Sequence, residues 1–149
     1  MLQFKKLDER AKLPTRANPW DAGLDLYALE DSLLEYGRVV PVRTGLATAI
    51  PQGQVGLLTI RSSLGKRNIQ IANAPGIIDS GYRGEIIVML VNNHYVNNPY
   101  DNYNNILISG GERIAQLVVA PFVEHFPTFV DELLPSDGRE QGGFGSSGK

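Results

Sequence analysis

Helical periodicity is almost absent from this 149-residue chain, and that limits its fold more than any other property. In its place, short runs rich in β-formers recur at 2–6, 24–28, 38–42, 46–50, 55–60, 69–72, 85–92, 106–108 and 114–122. Gly, Pro, Asn or Asp punctuates most of the gaps, as at Pro51-Gln52-Gly53, Pro75-Gly76 and Gly110-Gly111. Many short strands separated by turn residues indicate an all-β sandwich or barrel, because each run is too short to bury a face alone. One helical turn is expected near 62–67, with Ser62 or Ser63 as its cap. No internal repeat is evident.

A chain of this length supports one hydrophobic core, and its 42% hydrophobic and 20% charged residues suit a globular domain. A formal net charge of −2 argues against a duplex nucleic-acid binder, which needs a broad basic face, but leaves room for a local phosphate site. With no cysteine, disulfides, thiolate metal sites and cysteine nucleophiles are excluded. His94 and His125 are too far apart in sequence to form a recognisable ligand pair, which speaks against zinc. No apolar stretch is long enough for a signal peptide or a membrane span, so a cytoplasmic location is expected.

Several short segments concentrate chemistry. AGLDL (22–26) sets one acid, Asp25, in an apolar strand start, where local backbone N–H groups are its simplest partners. RSSLGKR (61–67) follows a β run with one cation, two hydroxyls and a helix start, parts that suit a phosphate cradle; an ordinary polar turn after a strand also accounts for this segment alone. In GIIDSGYRG (76–84), Asp79 is placed to activate a water beside the flat ring of Tyr82; a hairpin turn in which Asp79 and Gly81 serve geometry alone fits equally well. GERIAQ (111–116) offers Arg113, suited to structural ion pairs, and Gln116, a hydrogen-bonding group for phosphate or ribose.

Two segments differ in composition from the rest. Residues 92–105 include seven Asn and three Tyr, a mixture that packs poorly and reads as an exposed loop. Five of the sixteen glycines fall in the last twelve residues, too many for a strand or helix, and on composition alone such a tail reads as disordered. That tail also carries Arg139, Phe144 and the Gly145-Ser146-Ser147 run: a cation, a stacking ring and backbone donors, the parts of a clamp for a nucleoside triphosphate.

In order and spacing, AGLDL, RSSLGKR, GIIDSGYRG, GERIAQ and REQGGFGSSG resemble the five motifs of the trimeric dUTPase family, across nearly the whole chain. The resemblance implies a jelly-roll-like β fold and a homotrimer whose three active sites lie between subunits. It implies a β domain over 1–135 and a glycine-rich lid over 136–149 that completes a site. The implied reaction converts dUTP to dUMP and pyrophosphate by in-line water attack at the α-phosphate, which limits uracil in DNA and supplies dUMP for thymidylate synthesis.

By the same resemblance, Asp79 orients and deprotonates the water, and Tyr82 packs under the deoxyribose and rejects a 2′-hydroxyl. Asn73 belongs to a uracil-reading hairpin, with Ile78 and Ile87 as pocket walls. Arg61, Ser62, Ser63 and Gln116 contact phosphates, with Asp25 and Arg113 in support. Arg139 reaches the γ-phosphate, Phe144 stacks on uracil, and Gly145, Ser146 and Ser147 close on the triphosphate. Mg²⁺ is implied as cofactor, held mainly by the triphosphate, with Asp25 as an outer-shell contributor and no direct protein ligand.

Three departures from the family pattern stand out. Ser63 occupies a usual glycine place, Glu140 follows the tail arginine where glycine is usual, and the 92–105 segment is longer than common. That segment is a solvated insertion or a surface for a protein partner. Alternative functions are dCTP deaminase, alone or combined with dUTPase activity, and a non-catalytic jelly-roll binding module. Retention of Asp79, Tyr82, Arg139 and Phe144 together argues against the last.

Overall fold

The computed structural model describes residues 1–94 and 105–135. Its strands are β1 (Gln3–Lys6), β2 (Gly23–Tyr27), β3 (Ser32–Leu34), β4 (Val39–Ala49), β5 (Gln54–Ile60), β6 (Ile69–Ile71), β7 (Gly76–Ile78), β8 (Glu85–Asn92), β9 (Ile106–Ile108) and β10 (Arg113–Pro121), with one short helix, α1 (Ser62–Gly65). Two four-stranded antiparallel sheets, ordered β1-β4-β8-β6 and β2-β10-β5-β7, enclose the core, and β3 pairs with β9 beside them. This is the expected all-β, jelly-roll architecture. No helix among the described residues is long and apolar enough to cross a membrane.

The two sheets meet through alternation of side chains. In β8, Ile86, Val88 and Leu90 are buried while the residues between them are less so. From the other sheet Leu24, Leu117 and Leu58, aligned across β2, β10 and β5, enter the same core. Their neighbours Asp25, Gln116 and Thr59 form the parallel row on the opposite face. One register therefore fixes both the core and a polar row behind it.

The runs expected at 38–42 and 46–50 are one strand. The gap between them is a bulge in β4: Arg43 pairs with Ile87, yet Ala47 pairs with Glu85, so β4 carries extra residues against β8. Gly45 sits there at φ +70, and a Cβ would lie 2.9 Å from Leu29 Cδ1 and 3.0 Å from Ala11 Cβ. A small second cluster of Ala11, Leu29 and Leu46 packs under this bulge. The expected helical turn is present, but its cap differs. Arg61, not Ser62 or Ser63, is the N-cap residue, without a side-chain cap bond. Burial of Leu64 holds the turn in place instead.

Strands β3 and β7 were not anticipated. Ser32-Leu33-Leu34 has only two apolar residues beside an acidic stretch, and Gly76-Ile77-Ile78 reads as part of a loop motif. Yet β7 matters, because β6 pairs with β8 in one sheet while β7 pairs with β5 in the other. The chain thus crosses between sheets at 72–75 and back again at 79–84.

Candidate active site

Those two crossings build a cavity of about 150 Å³ lined by Asn73, Asp79, Tyr82, Glu85, Ile78 and Ile87, among others. Asn73 lies in the first crossing, so it occupies a corner between sheets; the expected hairpin is not formed, since β6 and β7 do not pair. The hairpin alternative for 76–84 falls for the same reason, because β7 and β8 belong to different sheets. Asp79 directly follows β7, and Tyr82 N–H donates to its backbone carbonyl at 3.0 Å. The Asp79 carboxylate itself is exposed and has no partner among the described residues. It is a carboxylate at the edge of a partly apolar hollow, with neither oxygen engaged by a described residue.

The ring of Tyr82 is 45% exposed and fixed at two points. Its hydroxyl donates to the Glu85 carbonyl at 2.9 Å. Beneath it, Gly84 admits the ring; a Cβ there would lie 2.6 Å from Cζ. Arg83 folds back and donates to the carbonyls of Ser80 at 2.6 Å and Tyr82 at 2.8 Å, closing the turn that carries Asp79.

A second hollow, about 420 Å³, lies behind the other sheet and is lined by Asp25, Arg61, Gln116, Asp21, Gly23 and Val118, among others. Its geometry follows from register. Asp25 and Gln116 are cross-strand neighbours, and Thr59, opposite Gln116, precedes Arg61 by two residues on the same strand path. Gly23 makes room for the Gln116 side chain, since a Cβ there would lie 3.1 Å from its amide. Asp25 is only 4% exposed. Its partners are not the local backbone N–H groups that sequence favoured but two guanidinium groups. Arg61 Nε lies 2.7 Å from Oδ1, close enough for an ion pair but out of line for an N–H···O bond, and Arg113 donates to Oδ2 at 3.4 Å. Arg113 does make the structural ion pair expected of it.

Ser62 and Ser63 are exposed at the start of α1, where the first N–H groups of a helix lack helical acceptors. Arg67 donates to Glu112 Oε1 at 2.9 Å, and Glu112 Oε2 accepts from Ser109 N–H at 3.2 Å. This tie between RSSLGKR and GERIAQ was not foreseen, because nothing in two charged residues 45 positions apart marks them as a pair. Arg139, Phe144, Gly145, Ser146 and Ser147 lie outside the described residues, as does most of the 92–105 segment. Among the described residues, no three His, Cys, Asp or Glu side chains cluster as a metal cage.

The model of one protein family, dUTPase, matches residues 9–148. The chain belongs to the dUTPase family. It is similar to the deoxyuridine 5'-triphosphate nucleotidohydrolase of Mycobacterium avium (strain 104), 46% identical over 152 residues, covering 99% of this chain and 94% of the relative. Among solved structures it resembles the dUTPase of Staphylococcus bacteriophage 80alpha solved with dUpNHpp, with a TM-score of 0.90 and 32% identity, covering 100% and 99% of the two chains. It also resembles a dUTPase variant from phage phi11 of S. aureus, solved to show coordination of a structural Mg(II) ion (TM-score 0.81, 31% identity, 89% and 97% covered). Within the family frame the four motifs among the described residues divide in space. The third lines the small cavity, while the first, second and fourth gather at the larger hollow, and the two share no lining residue.

Proposed function

We infer that this dUTPase-family chain hydrolyses dUTP to dUMP and pyrophosphate, lowering the dUTP available to DNA synthesis and supplying dUMP. The observation that carries the reading is the convergence of Asn73, Asp79, Tyr82, Ile78 and Ile87 on one hollow. At about 150 Å³ it has the size at which a cavity accepts one benzene-like ring. Uracil sits there between Ile78 and Ile87, read by the Asn73 amide and nearby backbone groups. Tyr82 lies under the deoxyribose, where a 2′-hydroxyl would meet the ring.

Asp79 takes a proton from a water as its oxygen bonds to the α-phosphorus, and the bond from that phosphorus to the α–β bridging oxygen breaks to release pyrophosphate. Arg61, Ser62, Ser63 and Gln116 hold the phosphates by charge-assisted hydrogen bonds. Asp25 and Arg113 act in support, Asp25 by aiming Arg61. Arg139 on the γ-phosphate, Phe144 on uracil, and Gly145, Ser146 and Ser147 over the triphosphate complete the site, so 136–149 is a lid on a β domain formed by 1–135. Mg²⁺ supplies charge neutralisation on the triphosphate, which itself provides most of the oxygen ligands such a hard cation favours. Both carboxylate oxygens of Asp25 already face arginines, so its part is the aiming of Arg61 rather than ligation.

A pocket for a whole ligand usually spans about 300–1,000 Å³, well beyond the ring-sized hollow. The phosphate motifs of the same chain gather at a different hollow, so the reading places each site between subunits of a homotrimer. Exposed Ile77 on one sheet, and Phe126, Phe129, Leu133 and Leu134 on the 122–135 segment, supply apolar surface for that assembly. Deamination of dCTP is not favoured. Among the described residues, the one glutamate lining the small cavity, Glu85, has its carboxylate engaged by Arg43 and the Gly45 N–H. Incubation of the purified protein with Mg²⁺ and, separately, dUTP, dCTP, dTTP and UTP tests the reading. Release of dUMP and pyrophosphate from dUTP alone is expected; ammonia from dCTP, or equal turnover of all four, overturns it.

A further inference from the structure

The bulge in β4 leaves a backbone donor with no ladder partner, and its disposition reaches the cavity. The flanking carbonyls are satisfied, Gly45 O by Leu7 N–H and Arg43 O by Leu29 N–H, each at 2.8 Å. The Gly45 N–H instead donates to Glu85 Oε1 at 2.8 Å. Arg43 Nε adds contacts of 3.2 and 3.1 Å to the two oxygens of the same carboxylate. The Glu85 side chain is only 16% exposed, and its charge is met entirely by these donors.

Glu85 is also the first residue of β8, directly after the turn that bears Asp79 and Tyr82, and its carbonyl is the acceptor of the Tyr82 hydroxyl. The anchored side chain fixes the residue, and the residue fixes where the phenol seats. We propose that Glu85 is a positioning residue for sugar discrimination, transmitting the Gly45 bulge of β4 to the Tyr82 ring. The inference rests on the reading of Tyr82 as the group that rejects a 2′-hydroxyl. A ring that has lost its tether tilts into the half-exposed space around it, and room opens for the extra oxygen.

The test compares kcat and KM for dUTP and UTP in the wild type and in Glu85→Ala, Glu85→Gln, Arg43→Met, Tyr82→Phe and Tyr82→Ala. Glu85→Ala and Tyr82→Phe break the same chain at two points. Each should lower the dUTP-to-UTP ratio of kcat/KM by about tenfold, the low end of what one misfitted group does to discrimination. Their double variant should lose little more than either alone, because one interaction is removed only once. Glu85→Gln keeps an acceptor for the Gly45 N–H and should hold the ratio closer to wild type. Tyr82→Phe and Arg43→Met alter exposed groups, so the test stands even if Glu85→Ala does not fold. If Tyr82→Ala relaxes discrimination while Glu85→Ala, Arg43→Met and Tyr82→Phe all keep the wild-type ratio, this inference is overturned and the Tyr82 reading survives. If Tyr82→Ala itself leaves the ratio unchanged, both fall together.

Discussion

Asp79 and Asp25 show how environment divides the labour of two aspartates. Asp79 is exposed beside a hollow, without a partner among the described residues; Asp25 is buried between two arginines. A carboxylate already committed to cations makes a poor base, whereas an unengaged one at a substrate pocket is available for proton transfer. Asp79→Asn should therefore keep affinity for a non-hydrolysed dUTP analogue while turnover falls by about 10²–10⁴-fold, the range for loss of a general base. Calorimetric titration beside a steady-state assay reads both; unchanged turnover rejects the assignment. Asp25→Ala should act on stability first. It strands the mostly buried Arg61, and breaking such a pair costs on the order of 3–5 kcal/mol, reduced here because Arg113 is half exposed and rehydrates. Urea denaturation of the variant checks it, and a loss under about 1 kcal/mol contradicts the packing described.

Strands and turns differ in how openly they were written in the sequence. β8 and β10 were legible because they are long enough for alternation or apolar continuity to declare itself. The 38–50 region misled because Thr44-Gly45 has the composition of a turn, while its conformation is a bulge enforced by Leu7, Leu29 and Glu85, none of them nearby in sequence. The resemblance pointed to Asp79, Tyr82 and Asn73, and the structure brings all three to one cavity. Nothing local disclosed that β6 and β7 belong to different sheets, which is what opens the cavity. Glu85, Arg83 and the Arg67–Glu112 pair went unseen because their partners are backbone groups or residues set by tertiary contact. At this scale Gly45→Ala is the informative change. A side chain at φ +70, 2.9 Å from Leu29 Cδ1, should cost about 1–3 kcal/mol through strain and overpacking. Thermal melting should show the loss, and an unshifted midpoint would mean the bulge relaxes freely.

Over the whole molecule, the decisive arrangement is that the ring-sized hollow and the Arg61 hollow share no lining residue. A homotrimer that joins them across subunits makes a prediction no monomer could satisfy. Asp79→Asn and Arg61→Gln, each nearly inactive alone, should regain activity when unfolded and refolded together. At a two-chain interface, random mixing restores about a quarter of the sites. Sedimentation analysis of the same samples should report a trimer; absence of any recovery in a verified mixed trimer places both residues in one subunit's site.

The proposed reaction is attack of water on the α-phosphorus of dUTP. Hydrolysis in ¹⁸O-labelled water, followed by mass spectrometry of both products, tests it most directly. One labelled oxygen in dUMP and none in pyrophosphate is expected; label in pyrophosphate would place the attack on the β-phosphorus instead.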